Sequence, residues 1–398
     1  MTNLEKDKES PFQQIDYNLI FILFLLICSS CIAIYSAQII GQYDSNYVVK
    51  QVVWYVLGLI AIAVVMILDF DQFRRLSWYI YGLGILLLIG IVIVPYVDPN
   101  AGTPAALVPV INGAQSWYRF GGFAFQPAEV MKVALIISLA NSITLHNEKY
   151  SNRSIKEDFL LLGKILAIAL PPVVLVMLQP DLGTTLVFIA IISSLLLVSG
   201  IRWRIIFLIT LLFVLLITGL VFLYLYFPDF FLTYILETYQ LERFYAWLQP
   251  YEYDEGIGYQ LVKSLLAIGS GQLFGKGFTD GSVYFPEAHT DFIFAIIGEE
   301  FGFIGTSFVI SLFFLLVYRM IHVALESNEP FGSYLCAGVI GMITFQVFQN
   351  IGMTIGVLPI TGIPLPFISY GGSSILASMI AIGIILNVRS RTRKYMFD

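Results

Sequence analysis

Apolar residues gather in ten long runs, at about 17–37, 50–68, 76–96, 126–144, 160–178, 182–200, 204–226, 291–318, 333–353 and 370–388. A hydrocarbon core takes roughly 20 helical residues to cross, so each run reads as a membrane-spanning helix. Strands of a membrane barrel show short alternating segments instead, and no such pattern carries this chain. Two irregularities interrupt the regular spacing. Glu299 and Glu300 break the eighth run. Residues 330–388 hold no Asp, Glu, Lys or Arg at all, which leaves room for two spans and a buried connector between them. The gaps at 97–125 and 227–290 are much longer than the rest, and long ordered loops usually carry function.

Composition agrees with the pattern and narrows it. Of 398 residues, 58% are hydrophobic and 12% charged, against about 25% charged in a soluble domain. This excludes a soluble enzyme or a disordered scaffold. The net charge of −6 leaves no basic footprint for nucleic acid. Cys28, Cys31 and Cys336 lie in apolar runs and read as small buried hydrophobes. His146, His289 and His322 are scattered, so no histidine metal site is expected. The first run is too long for a signal-peptide core and reads as the first span. The whole chain, 1–398, reads as one membrane domain.

Charge also orients the spans. With the N-terminus inside, most of the 21 Lys and Arg residues fall in inner segments, as the positive-inside rule requires. Lys50, Arg119, Arg243, Lys263 and Lys276 remain outside, and Lys132 and Lys164 lie within spans. Both termini are therefore expected on the cytoplasmic face, and 227–290 is expected as a large extracellular loop.

Ionisable groups inside a membrane are costly and usually functional. Glu129 and Lys132, three apart on a helix, share a face and can neutralise each other. They read either as a structural pair or as a polar site facing a cavity. Lys164 can snorkel to the inner surface. Asp181, in a tight turn after Gln179 and Pro180, reads equally as an N-cap or a site residue. The same two readings hold for Asp291, which opens the eighth span. Glu299 lies about 12 Å deeper along that helix. Pro359, Pro364 and Pro366, then Gly371 and Gly372, break any helix between the last two spans. Non-helical backbone at membrane depth must be buried in protein or line a wet cavity, so a cavity is expected near that connector.

That connector belongs to the string FQNIGMTIGVLPITGIPLPFISYGGSS at 348–374. With it come, in order, QSWYR at 115–119, FQPAEVMK at 125–132, QPDLGT at 179–184, RFYAWLQP at 243–250, GYQ at 258–260, AIGSGQLFGKG at 267–277 and FPEAHTDFIF at 285–294. Together they resemble the signature of the SEDS proteins (shape, elongation, division and sporulation) across nearly the whole chain. One departure is visible: Gln272 stands where the family usually has a glycine, which bears on one loop dihedral. Residues 348–353 and the short C-terminal tail look closer to the elongation branch (RodA) than to the division branch (FtsW).

The resemblance implies an all-α polytopic fold of about ten transmembrane helices in the bacterial plasma membrane. It implies a peptidoglycan glycosyltransferase that polymerises lipid II at the outer face. The expected partners are a class B penicillin-binding protein, which supplies transpeptidation, and the rest of the elongation machinery. Asp291 is the implied general base. Trp117, Arg119, Arg243, Lys276, His289 and Ser369 are candidates for holding substrate. The amides of 269–277 are a candidate anion nest. Glu129 and Lys132 are expected to hold the cavity floor, and Gln126, Asp181, Gln260, Glu299 and Asn350 are further site candidates. No metal ligand set is evident, though a divalent cation (Mg or Mn) is compatible with the chemistry. A lipid II flippase, built on the buried Glu129, Lys132, Glu299 and Glu300, is the competing reading, with a non-enzymatic scaffold as a third.

Overall fold

The computed structural model describes residues 15–41, 46–94, 108–109, 115–120, 123–150, 154–228, 230, 244–253, 256, 258–284, 286 and 288–392. Its elements are α1 (Tyr17–Ile40), α2 (Tyr47–Ile67), α3 (Phe70–Ile93), β1 (Tyr118–Phe120), β2 (Phe123–Phe125), α4 (Pro127–Lys149), α5 (Ile155–Met177), α6 (Leu182–Val198), α7 (Trp203–Tyr226), α8 (Gly258–Gly271), α9 (Ile293–Glu326), α10 (Pro330–Thr354) and α11 (Gly372–Arg391). Among the described residues, nine helices are long and apolar enough to cross a membrane, and α6 is a shorter apolar one of 17 residues. A helix stands at each of the ten expected spans, nine of them long enough to cross, and the chain is an all-α multi-pass membrane protein. Among the described residues the one sheet is a small antiparallel hairpin pairing Tyr118 with Phe125 and Arg119 with Ala124.

Local chemistry sets the helix starts. Asp16, Asn46 and Asp181 each accept a hydrogen bond from the backbone N–H three residues on, at Leu19, Val49 and Thr184. Asp69 with Gln72, and Ser154 with Glu157, form capping boxes. Proline at the first turn opens α4 and α10. Several helices outrun their apolar stretches. Arg74 and Arg75, expected in a connection, lie in α3, and α9 extends to Glu326 instead of stopping near 318. Apolarity ends where the membrane does, but the backbone hydrogen-bond ladder continues into water while charged side chains cover it.

Burial runs against apolarity. In the most apolar stretch of α7 only 11% is buried in protein, whereas α4, among the least apolar of the spans, is 89% buried and α11 72%. A lipid-facing helix must be apolar on every side, while one surrounded by protein can hold polar groups that its neighbours satisfy. Helices α4 and α11 form the centre, with α11 packed along α2 and against α4. Small residues permit this closeness, since a Cβ on Gly58 would sit 2.7 Å from Met379. At the end of the bundle where the described chain begins and ends, Asp16 pairs with Arg319 at 2.7 Å and Arg391 with Asp69 at 2.5 Å. There too Asn387 Nδ2 donates to the carbonyls of Val65, Met66 and Leu68, completing the end of α2.

Two irregular regions lie at the opposite end. The first is the connector of residues 355–371, between α10 and α11. The second begins in α8, a helix inside the segment expected as one long loop; its 14 residues are too few for a span. Ser264 Oγ donates to Thr354 O and Trp247 Nε1 to Gly356 O, so this segment is tied to the end of α10.

Candidate active site at the proline-rich connector

Asp291 precedes α9, whose N-cap is Phe292, so the carboxylate is not the helix cap. Its side chain is partly exposed. Its backbone carbonyl accepts from Asn350 Nδ2 at 2.7 Å, and the same amide donates to Ile363 O at 2.7 Å. One buried side chain of α10 thus ties Asp291 to the connector. Gly362 sits in the left-handed region (φ +69°), and a Cβ there would lie 3.4 Å from Asp291 Oδ2. Glycine is what lets the connector pass so close to the carboxylate.

Further contacts fix the same patch. Tyr370 N donates to His289 O at 2.9 Å, two residues before Asp291. The His289 ring stacks on Tyr47 at 4.4 Å between centroids, and Tyr370 meets Tyr47 edge-on at 4.7 Å. Gln349 Nε2 donates to Pro359 O. Ser369 Oγ accepts from Leu365 N, closing the last turn of the connector.

Beside the connector, Asp181 both caps α6 and joins the site. Its Oδ1 accepts from Thr184 N, and its Oδ2 accepts from Thr184 Oγ1 at 2.8 Å and Gln126 Nε2 at 3.1 Å. Gln126 N in turn donates to Ser373 Oγ at the start of α11. Gly183 lies under the connector, with Thr361 O 2.6 Å from where its Cβ would be. One turn into α4, Glu129 and Lys132 form an ion pair at 2.8 Å, both nearly fully buried. These groups link α4, α6, α9, α10 and α11 around one end of the bundle.

The remaining candidates part company here. Lys276 Nζ pairs with Glu299 at 2.5 Å. Glu299 Oε1 also accepts from Ser282 N at 2.8 Å and Val283 N at 3.1 Å. Glu300 accepts from Thr279 N and from Ser36 Oγ. The reason is a break in α9 at Gly302 (φ +59°, ψ −154°), where the turn run 272–277 meets the helix. Lys276 N and Gly277 N donate to the freed carbonyls of Glu299 and Glu300, while Phe303 N and Ile304 N donate to Gln272 O and Leu273 O. Of the amides considered as an anion nest, Lys276 N and Gly277 N are therefore engaged by α9, and Gly275 N by Gly271 O. Gln272 adopts φ +47°, the geometry its family position leaves to glycine. Arg119 is exposed on β1, and Trp117 is partly buried beside it. Ser116 Oγ donates to Gln179 O, and Tyr118 OH, whose pKa burial raises, donates to Leu87 O, which seats the hairpin on α3 and the α5–α6 turn. Gln260 lies in α8, and Arg243 falls outside the described residues. Among the described residues no three His, Cys, Asp or Glu side chains gather as metal ligands.

Sequence reading missed Ser30, Gln51 and Tyr55, which reach the connector from α1 and α2. The signal was present as neutral polar residues inside apolar spans. A search for charges passed over them.

Comparison with known proteins bears on all of this. Residues 16–394 match the sequence model of a family described as cell cycle proteins, FtsW/RodA/SpoVE. A probable peptidoglycan glycosyltransferase FtsW of Geobacter metallireducens is 35% identical over 389 residues, spanning 95% of this chain and 96% of that protein. Stage V sporulation protein E of Bacillus subtilis is 35% identical, spanning 98% and 99%. Among solved structures, the rod shape determining protein RodA of Thermus thermophilus superposes with a TM-score of 0.68 at 27% identity, covering 97% of this chain and 100% of that one. A chain from a peptidoglycan synthase complex, in which polymerization and crosslinking are coordinated, superposes with a TM-score of 0.74 at 28% identity, covering 95% and 98%.

Proposed function

Since this chain belongs to the FtsW/RodA/SpoVE family, we propose that it is a peptidoglycan glycosyltransferase that polymerises lipid II, with Asp291 as the base. The observation that carries this reading is the partly exposed Asp291 carboxylate, set against Gly362 and tied to the connector by Asn350. The acceptor hydroxyl attacks C1 of the donor sugar. The bond from C1 to the undecaprenyl diphosphate oxygen breaks as the new glycosidic bond forms, with one inversion from α to β. Asp291 takes the hydroxyl proton, and the diphosphate departs as an anion.

The end of the bundle bearing Asp291 faces outward in this reading, with both termini in the cytoplasm and 227–290 outside, in line with the Lys and Arg bias. Arg119, exposed on β1, is the candidate cation left for the leaving diphosphate among the described residues, because Glu299 already holds Lys276. Crosslinking falls to a separate class B penicillin-binding protein. The fold shared with a chain of a complex that coordinates polymerization and crosslinking supports such a partner. The engagement of Glu299, Glu300 and Lys276 in one loop supports an enzyme over a flippase, since these charges serve to hold that loop.

Purified protein supplied with lipid II and its penicillin-binding partner is expected to make glycan strands, and folded Asp291→Asn none. Polymer from Asp291→Asn would remove the base assignment. A wild type that makes none yet moves lipid II across vesicles would establish transport instead. Residues 348–353 and the short tail support a role in elongation, while the FtsW and sporulation names of relatives at 35% identity support division. Depletion separates the two: rounded cells mark elongation and filaments mark division.

A further inference from the structure

The turn that closes the connector is held in an unfavourable shape. Phe367 is buried, bulky and not glycine, yet its φ is +62°. Backbone of this kind persists only where its surroundings over-determine it. Here three successive carbonyls are each captured by a buried side chain from the first two helices. Tyr55 OH donates to Phe367 O at 2.7 Å, Ser30 Oγ to Ile368 O at 2.7 Å, and Gln51 Nε2 to Ser369 O at 3.1 Å. The captors bond to one another too, with Gln51 Nε2 donating to Ser30 Oγ at 3.3 Å and to Tyr55 OH at 3.1 Å.

The turn then grips the Asp291 segment at two points. Tyr370 N, just after it, donates to His289 O. Ile363 O, just before it, shares the Asn350 amide with Asp291 O. Between these points Gly362 lies against the Asp291 carboxylate. None of the three captors carries a charge, and none reaches Asp291 itself. Their hydrogen bonds to the connector all end on backbone whose shape decides where that carboxylate sits.

We propose that Ser30, Gln51 and Tyr55 form a positioning clamp, which holds the Phe367–Ser369 turn in its left-handed shape and thereby keeps Asp291 aligned on the acceptor hydroxyl. This rests on the reading of Asp291 as the base. Apolar replacements of similar size would keep the helices packed while letting Phe367 relax to negative φ. The connector would then settle elsewhere, and the carboxylate with it.

The test uses full-length protein with its penicillin-binding partner. Tyr55→Phe, alone and with Gln51→Met, is expected to lower kcat for strand synthesis about tenfold with little change in KM, as misplacement of a catalytic group does. The melting temperature of the single variant should stay near wild type. Hydrogen exchange in 363–371 should quicken while that in α4 does not. Adding Phe367→Gly should restore part of the lost kcat, because glycine takes the left-handed shape unaided. A merely structural role predicts no such rescue. Unchanged kcat and unchanged exchange would overturn the clamp, as would failure of the glycine rescue. If wild type makes no polymer, the base reading fails by itself, and exchange in 363–371 still decides whether the turn is clamped.

Discussion

The connector over Asp291 and the glycine-rich run on the broken helix α9 meet the same difficulty in opposite ways. Both set irregular backbone against the helices of the bundle, where the polar groups turned toward protein must find a partner. In the connector the exposed groups are mostly carbonyls, and neutral donors satisfy them: Ser30, Gln51, Tyr55, Gln349 and Asn350. In the run at 275–283 the side-chain-bonded groups are N–H donors, and carboxylates satisfy them: Glu299 and Glu300. A buried charge is therefore not in itself a mark of chemistry. On α9 the carboxylates hold a loop, while Asp291 keeps a partly exposed carboxylate beside Gly362.

Exchanging the two kinds of carboxylate separates them most sharply. Asp291→Asn should lower polymerisation by about 10³-fold, in the range for loss of a general base, without moving the melting temperature. Glu299→Ala should do the reverse. Removing one partner from a buried pair leaves Lys276 and two loop amides unanswered, for about 3 kcal/mol of stability. Activity per folded molecule should survive, as read by thermal unfolding beside the strand assay. Equal loss of activity in folded Glu299→Ala would erase the distinction.

Asn350→Leu tests the neutral side of the contrast. Two buried carbonyls lose their donor, for about 2 kcal/mol, and kcat should fall along with stability because Asp291 loses its tie. Gln272→Gly makes the smallest change and runs the other way. It relieves a left-handed residue and should raise stability by about 1 kcal/mol. A lowered melting temperature would show that the Gln272 side chain matters more than its backbone shape.

The spans were legible because lipid imposes apolarity over a fixed length. What they pack against was not, since apolarity reports contact with lipid and says little about the centre. Helix α7 reads most strongly as a span and touches the protein least, while α4 and α11 read more weakly and form the core. The connector was foreseen because proline and glycine forbid a helix there. Gln272 was foreseen as a loop-dihedral position from the resemblance alone, because it stands where the family usually has glycine. Glu299 and Glu300 drew attention as charges, but their partners depend on the break at Gly302, which a single glycine in an apolar run does not announce. The Ser30, Gln51 and Tyr55 contacts join residues more than three hundred positions apart. No local pattern encodes such a meeting.

The packing of α11 bears on how the chain is made. Of the described helices, the last to leave the ribosome fills the middle of the bundle, and its Asn387 finishes the end of the second. Until it arrives, α2 and α4 face a gap that lipid or a chaperone must fill. Nascent spans of this kind can enter the membrane one by one, yet they cannot settle in order of synthesis. A chain cut short before residue 372 would lose both its centre and the tether that draws the connector down. Truncation should therefore yield an unassembled set of helices, open to membrane proteases, and never a weakened enzyme.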